Sequence, residues 1–118
     1  MKIYLAGKMS GIPQFNFPAF HAAAAKLRDE GHFVFNPAEA DIKRLGGVDP
    51  SVGNETGDVA LAEKLHGLSR RECLAEDTQF IALHAEAIAL LPGWENSSGA
   101  RAEKALADAL GLTVIFLD

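Results

Sequence analysis

Four short apolar runs constrain this chain more than any other feature: 2-KIYLA-6, 32-HFVFN-36, 86-EAIALL-91 and 113-TVIFL-117. Runs of this length, enriched in Val, Ile, Phe and Tyr and alternating with helical patterns, predict a parallel sheet with right-handed crossovers. The first crossover is complete in the sequence. Asn16 stands as the cap of a helix, Pro18 fits its first turn, and 19-AFHAAAAKLRDE-30 runs until Gly31 stops it. Residues 37 to 67 mix Gly46, Gly47, Pro50, Gly53, Asn54 and Gly57 with charges and show no sustained period. They read as one long loop, with room for a short helix at 58-DVALAEKLH-66. A helix capped by Ser69 follows, then the third strand, a helix from Ser98 and the last strand. The predicted fold class is α/β: a single domain over residues 1 to 118, with a small open, mainly parallel sheet of four to five strands flanked by helices. Such flavodoxin-like or Rossmann-like sheets bind ligands at the carboxyl ends of their strands, near a topological switch point.

Composition narrows the partners. A net charge of −5 and 48% hydrophobic residues describe a mildly acidic globular chain with no basic stretch to follow a phosphate backbone. Duplex nucleic acid is therefore not an expected partner, whereas free nucleotides are compatible. The one cysteine, Cys73, excludes an internal disulfide, and no His/Cys cluster offers a zinc site, so neither a metal nor another cofactor is expected. Cys73 reads as a small buried apolar residue rather than a reactive thiol. The opening MKIYLAGKMSG is too short in apolar length for a signal-peptide core or a membrane span, so a cytoplasmic protein with no membrane partner is expected.

Three segments follow strand ends: 7-GKMSG-11, 36-NPAE-39 and 92-PGWENSSG-99. The glycines and hydroxyls of the first and third lead towards helix N-termini, where free N–H groups and the helix dipole attract an anion such as a phosphate. Gly7, Lys8, Ser10 and Gly11 are candidates for ligand contact in the first, although a glycine turn after a strand is common and Lys8 has a plainer reading as a solvated lysine. In the third, Ser97 or Ser98 serves as a helix cap. The second hydroxyl remains for a phosphate oxygen, with Gly99 letting the ligand approach the backbone. Trp94 is placed to stack on a base at the pocket mouth, or simply to pack.

Two carboxylates break the helical pattern. Stepping about 100° per residue, Glu103 falls beside Leu106 and Leu110, away from Arg101, Lys104 and Asp108. On 70-RRECLAEDTQFIALH-84, Asp77 lies in the middle of a stripe made by Cys73, Leu74, Phe80, Ile81 and His84. An ionised carboxylate on an inward face is costly unless paired or functional. These two helices flank the same strand, so the pair is expected at one strand end. Paired carboxylates beside a phosphate-binding crevice suit cleavage of a glycosidic bond, one as nucleophile and one handling the leaving group's proton. Retaining chemistry would place them roughly 5 to 6 Å apart around a sugar. Tyr4 is either a core aromatic or a hydroxyl that orients the nucleophile.

KIYLAG at residues 2 to 7, the Asp77 helix, AIALL at 87 to 91 and SSGARAE at 97 to 103 together resemble the nucleoside 2-deoxyribosyltransferase superfamily. The similarity is greatest to its small branch near the 2′-deoxynucleoside 5′-phosphate N-hydrolases, and S-x-G-x-x-x-E is its most specific element. The resemblance implies that Glu103 is the nucleophile at C1′, that Asp77 and Tyr4 are catalytic, and that Ser97 meets a 5′-phosphate. It also implies a homodimer or higher homo-oligomer, since members complete each pocket from a neighbouring subunit's C-terminal region. Here the sequence ends at Asp118, just after the last strand, so that contribution is missing or replaced. The hydrolases carry a serine and an arginine in the first turn, where this chain has Lys8 and Ser10.

The leading expectation is thus a hydrolase or transferase of nucleotide metabolism acting on the N-glycosidic bond of a nucleoside 5′-monophosphate. A non-catalytic nucleotide-binding or sensing module is the alternative, and it gains nothing from an inward-facing glutamate beside a sugar. A phosphoribohydrolase that releases cytokinin bases fits less well, because its compact PGG-x-GT-x-x-E motif differs from the Pro92 to Glu103 spacing.

Overall fold

A computed structural model describes all residues from Met1 to Asp118. Its order is β1 (Lys2–Ala6), α1 (Phe17–Asp29), β2 (Phe33–Phe35), α2 (Pro37–Arg44), α3 (Val59–His66), α4 (Arg70–Leu83), β3 (Ala87–Leu90), α5 (Ser98–Ala109) and β4 (Thr113–Phe116), with 3-10 turns at Pro13–Asn16 and Trp94–Asn96. The four strands make one all-parallel sheet in the order β2-β1-β3-β4, and no fifth strand is present. Register pairs Tyr4 with both Phe35 and Ile88, and Ala6 with Leu90. From β1 the chain moves outward to β2 and then returns to β3 on the other side, so the switch point lies at the carboxyl ends of β1 and β3.

Side chains alternate across the sheet, and each face has its own core. Ile3 and Leu5 pack with Phe17, Phe20, Ala24 and Leu27, which places α1 on one face. Tyr4 and Ala6 point the other way, into a second cluster with Ile81, Ile88, Leu90, Ala100 and Ala107, which brings α4 and α5 there. Both faces are covered, which is why β1 and β3 read as continuous apolar runs.

Two expectations about local structure need correction. Residues 37 to 67 are not one long loop: the short helix allowed at 58 to 66 is α3, but α2 is a further helix, and the excursion is confined to residues 45 to 58. The start of α2 has its signals: the Asn36 side chain accepts from the Ala38 N–H at 3.0 Å, Pro37 opens the helix, and Lys43 and Arg44 close it. Eight residues are too few to show a period beside the following glycines. Asn16 sits at the start of α1 but does not cap it. It is one of three consecutive left-handed residues, Gln14, Phe15 and Asn16, and its side-chain amide donates to the Lys8 carbonyl.

That left-handed run, costly for residues with a Cβ, is held from above by the excursion. The Gln14 N–H donates to the Asn54 carbonyl and the Gly11 N–H to the Gly57 carbonyl, each at 2.9 Å. Asn54 is buried and is bonded in both directions to the Asp58 backbone. Gly57 has a φ of 65°, and a Cβ there would collide with the Ile12 carbonyl oxygen. Gly57→Ala must therefore part the two loops. We expect a loss of about 2 kcal/mol or more in urea denaturation, and an unchanged midpoint would show that the loops are not coupled.

Candidate active site

At the switch point, a cavity of about 160 Å³ opens between the β1 end, α2, α4 and the start of α5. The deepest polar group is Tyr4. It lies in the middle of β1 rather than at its end, 1% exposed, with its ring stacked on Phe35 and tilted against Phe80. Packing thus fixes the ring, and the hydroxyl donates to Glu103 Oε2 at 2.6 Å. Tyr4 is both of the things the sequence allowed, a core aromatic and an orienting hydroxyl. Burial, and then the charge of Glu103, raise its pKa well above the ordinary phenol value, so it stays a donor.

Glu103 reaches the cavity because the inward face of α5 is Ala100, Glu103 and Ala107. The helix is rotated from the expected face, since Ala109 and Leu110 are exposed and Leu106 is half-buried. Asp77 arrives from α4 with Ile81, the other buried residue of that helix, while His84 is exposed. Both carboxyl groups line the cavity. Burial pushes Asp77 up to about 8, helped by the charges of Glu103 and Asp41, and Asp77 Oδ1 has no hydrogen-bond partner. Burial raises Glu103 to about 7, with the Tyr4 hydrogen bond opposing the rise.

The remaining site residues divide. Gly7, Ser10, Ser97 and Gly99 line the cavity with the three above; Lys8, Gly11, Trp94 and Ser98 do not. Lys8 Nζ donates to the Asn96 carbonyl, and Gly11 is taken up by the loop contact to Gly57. Trp94 is half-buried against Phe116 and the core on the α5 face, with Lys104 Nζ over its ring. Gly7 is required by packing, since a Cβ would come within 2.9 Å of Leu91. Ser97 is the cap of α5, its Oγ accepting from the Ala100 N–H at 3.1 Å, whereas Ser98 is already inside the helix and accepts from Arg70 Nη2 at 2.9 Å. Gly99 leaves the backbone open, with only Ser97 Oγ near its missing Cβ.

Sequence reasoning missed Asp41 and Arg70, which also line the cavity. Arg70 opens α4 and bridges to α5, a link between helix ends that no local pattern shows. Asp41 is 6% exposed on the short α2, and burial pushes its pKa up to about 6. Cys73 lies beside it with a thiol pushed up to about 12, mainly by burial, so it is a protonated, unreactive wall residue. No three His, Cys, Asp or Glu side chains group closely enough to hold a metal ion.

Fold and site together define a small doubly wound α/β protein with a carboxylate-lined cavity at its switch point. The chain belongs to the family described as Domain of unknown function (DUF4406), which matches residues 1–116. No curated protein and no solved structure matches it. No helix is long and apolar enough to cross a membrane.

The three raised carboxyl pKa values fix a pH dependence of stability. The folded state holds protons that the unfolded chain releases above about pH 4, so stability falls as pH rises from there through about 6, 7 and 8. The melting temperature should be higher at pH 5 than at pH 8.5, and Asp77→Asn should flatten the slope by removing the largest contribution. A melting temperature that rises over this interval would contradict the burial of these groups. Ser97→Ala should cost about 1 kcal/mol at any pH, because Ser98 cannot replace the cap.

Proposed function

We propose that this protein cleaves the N-glycosidic bond of a nucleoside 5′-monophosphate, or transfers its glycosyl group to a second base, through a glutamyl intermediate on Glu103. The observation that carries this reading is the pair of buried carboxyls, Glu103 and Asp77, in one cavity, with Glu103 bonded by a tyrosine that stays protonated. The S-x-G-x-x-x-E similarity to nucleoside 2-deoxyribosyltransferases supports the same assignment.

Each group suits one part. Tyr4 holds Oε2 of Glu103, which leaves the other carboxyl oxygen for the sugar. That oxygen attacks C1′ as the C1′–N bond breaks, the bonding pair goes to the base nitrogen, and the Asp77 carboxyl supplies the proton the departing base takes up. In the second half, water attacks C1′, gives its proton to Asp77 and frees Glu103; a second base in place of water gives transfer. The phosphate fits at the start of α5. There the Ser98 and Gly99 N–H groups lie in the first turn, and the Arg70 guanidinium takes the place the sequence had suggested for Lys8.

Chromatography of a panel of ribo- and deoxynucleoside monophosphates should reveal released base. Glu103→Gln should lower turnover by several orders of magnitude while retaining nucleotide binding, because an amide keeps the shape but is a poor nucleophile. Wild-type turnover in that variant would remove Glu103 from the chemistry. Binding without base release by the unaltered protein would be the behaviour of a nucleotide-sensing module instead.

The reaction needs ionised Glu103 and protonated Asp77, so kcat/KM should peak between about pH 7 and 8, the pair titrating as a coupled unit. Asp77→Asn should lose the fall on the alkaline side together with most of the rate. A profile that keeps rising to pH 10 would exclude a carboxyl acid.

A further inference from the structure

Asp41 is a buried carboxyl that the proposed chemistry does not use. It is 6% exposed, it lines the same cavity as Tyr4, Asp77 and Glu103, and its Oδ1 is buried without any hydrogen-bond partner. A buried acceptor left unpaired costs about 1 to 3 kcal/mol, and more if charged. Arg44, the arginine on its own helix, eases the charge from nearby but makes no hydrogen bond to it and is directed to Glu76 at 3.1 Å. Cys73 beside it offers only a weak S–H donor.

Its place in the sheet gives the direction of the missing partner. Asp41 stands on α2, which follows β2; Gly99 stands where α5 follows β3, and Arg70 reaches that point from the start of α4 through its bond to Ser98. β1 lies between these two strands, so the ends of the cavity are about two strand spacings, roughly 10 Å, apart. Glu103 and Tyr4 occupy the ground between. A nucleotide with its phosphate at α5 and its sugar over Glu103 would lay its base towards α2.

We propose that Asp41 is a specificity-determining residue that accepts a hydrogen bond from the exocyclic amine of the base, selecting amino-bearing bases over their carbonyl counterparts. This rests on the nucleotide reading above and adds the base to it. A carboxylate offers acceptors only, so a carbonyl oxygen at the same point would face it without a donor. Sites built around a buried polar partner reject analogues that lack it, because the site's own group is then left unpaired. Pro37, Val59, Ala62 and Leu68 line the same cavity, are apolar and give a flat base its area without competing for hydrogen bonds.

The test is calorimetry with two matched pairs, the 5′-monophosphates of deoxycytidine and deoxyuridine and those of deoxyadenosine and deoxyinosine, on the wild type and Asp41→Asn. Binding is read rather than turnover, so the result does not depend on catalysis. The wild type should bind the amino member of at least one pair tenfold or more tightly. Asp41→Asn, which supplies an N–H₂ donor in the same volume, should abolish or invert that ratio. Thermal melting shows that the variant is folded. Tight binding with the same ratio in both proteins would overturn the role of Asp41 and leave the nucleotide reading standing. No binding of any of the four would overturn the nucleotide reading, and this proposal with it.

Discussion

The hydrogen bond from Tyr4 to Glu103 joins a central strand of the sheet to the helix just before the last strand. Nearly every other feature of the site can be traced to it. For Tyr4 to reach a carboxylate its ring must stand on the α4/α5 face, which fixes β1's alternation and gives Ile3 and Leu5 to α1. For Glu103 to be reached, α5 must present Ala100, Glu103 and Ala107 rather than its leucines. The small alanines allow that close approach. The Phe35 and Phe80 rings then leave Tyr4 no other rotation, so the hydroxyl is aimed before any ligand arrives.

Around this bond the protein tolerates an electrostatic load. Three carboxyls share one cavity with a single lining cation, Arg70, while cations outside the lining are used elsewhere: Arg44 on Glu76, Lys8 on a carbonyl, Lys104 on Asp108. Burial dominates each carboxyl shift, so the neutral forms are favoured over a range where exposed acids are ionised. Local stability is lost to this burial as the pH rises, and on the proposed function the displaced pKa values would serve the chemistry. The cost is spread through two separate apolar cores, neither of which contains a charge.

Much of this was legible in the sequence. The four strands, their parallel arrangement and the inward position of Asp77 and Glu103 follow from period alone, because those elements are long enough or apolar enough to repeat. Short or non-local features escaped. α2 spans two turns and hid among glycines, and with it Asp41. Arg70 is an ordinary helix-opening arginine until α5 is folded beside it. Lys8 and Trp94 carry suitable chemistry, but a loop carbonyl and packing against Phe116 take them, which residue type cannot foretell. Ser97 and Ser98 were interchangeable as caps in sequence; only the backbone turn at Ser97 decides between them.

The distance between that turn and Glu103 makes α5 a measuring rod. Six residues at 1.5 Å each set about 9 Å along the axis between the end with free N–H groups and the carboxylate. Neither figure can drift independently. One residue inserted between them would lengthen the rod by a sixth and also swing Glu103 through about 100°, out of the cavity and away from Tyr4. Length and bearing are thus locked in one variable, and on the proposed function a guest would be gauged by the span between its anionic end and its reacting atom. On that same reading, a molecule with the right groups at the wrong separation would register at one end of the helix and miss at the other.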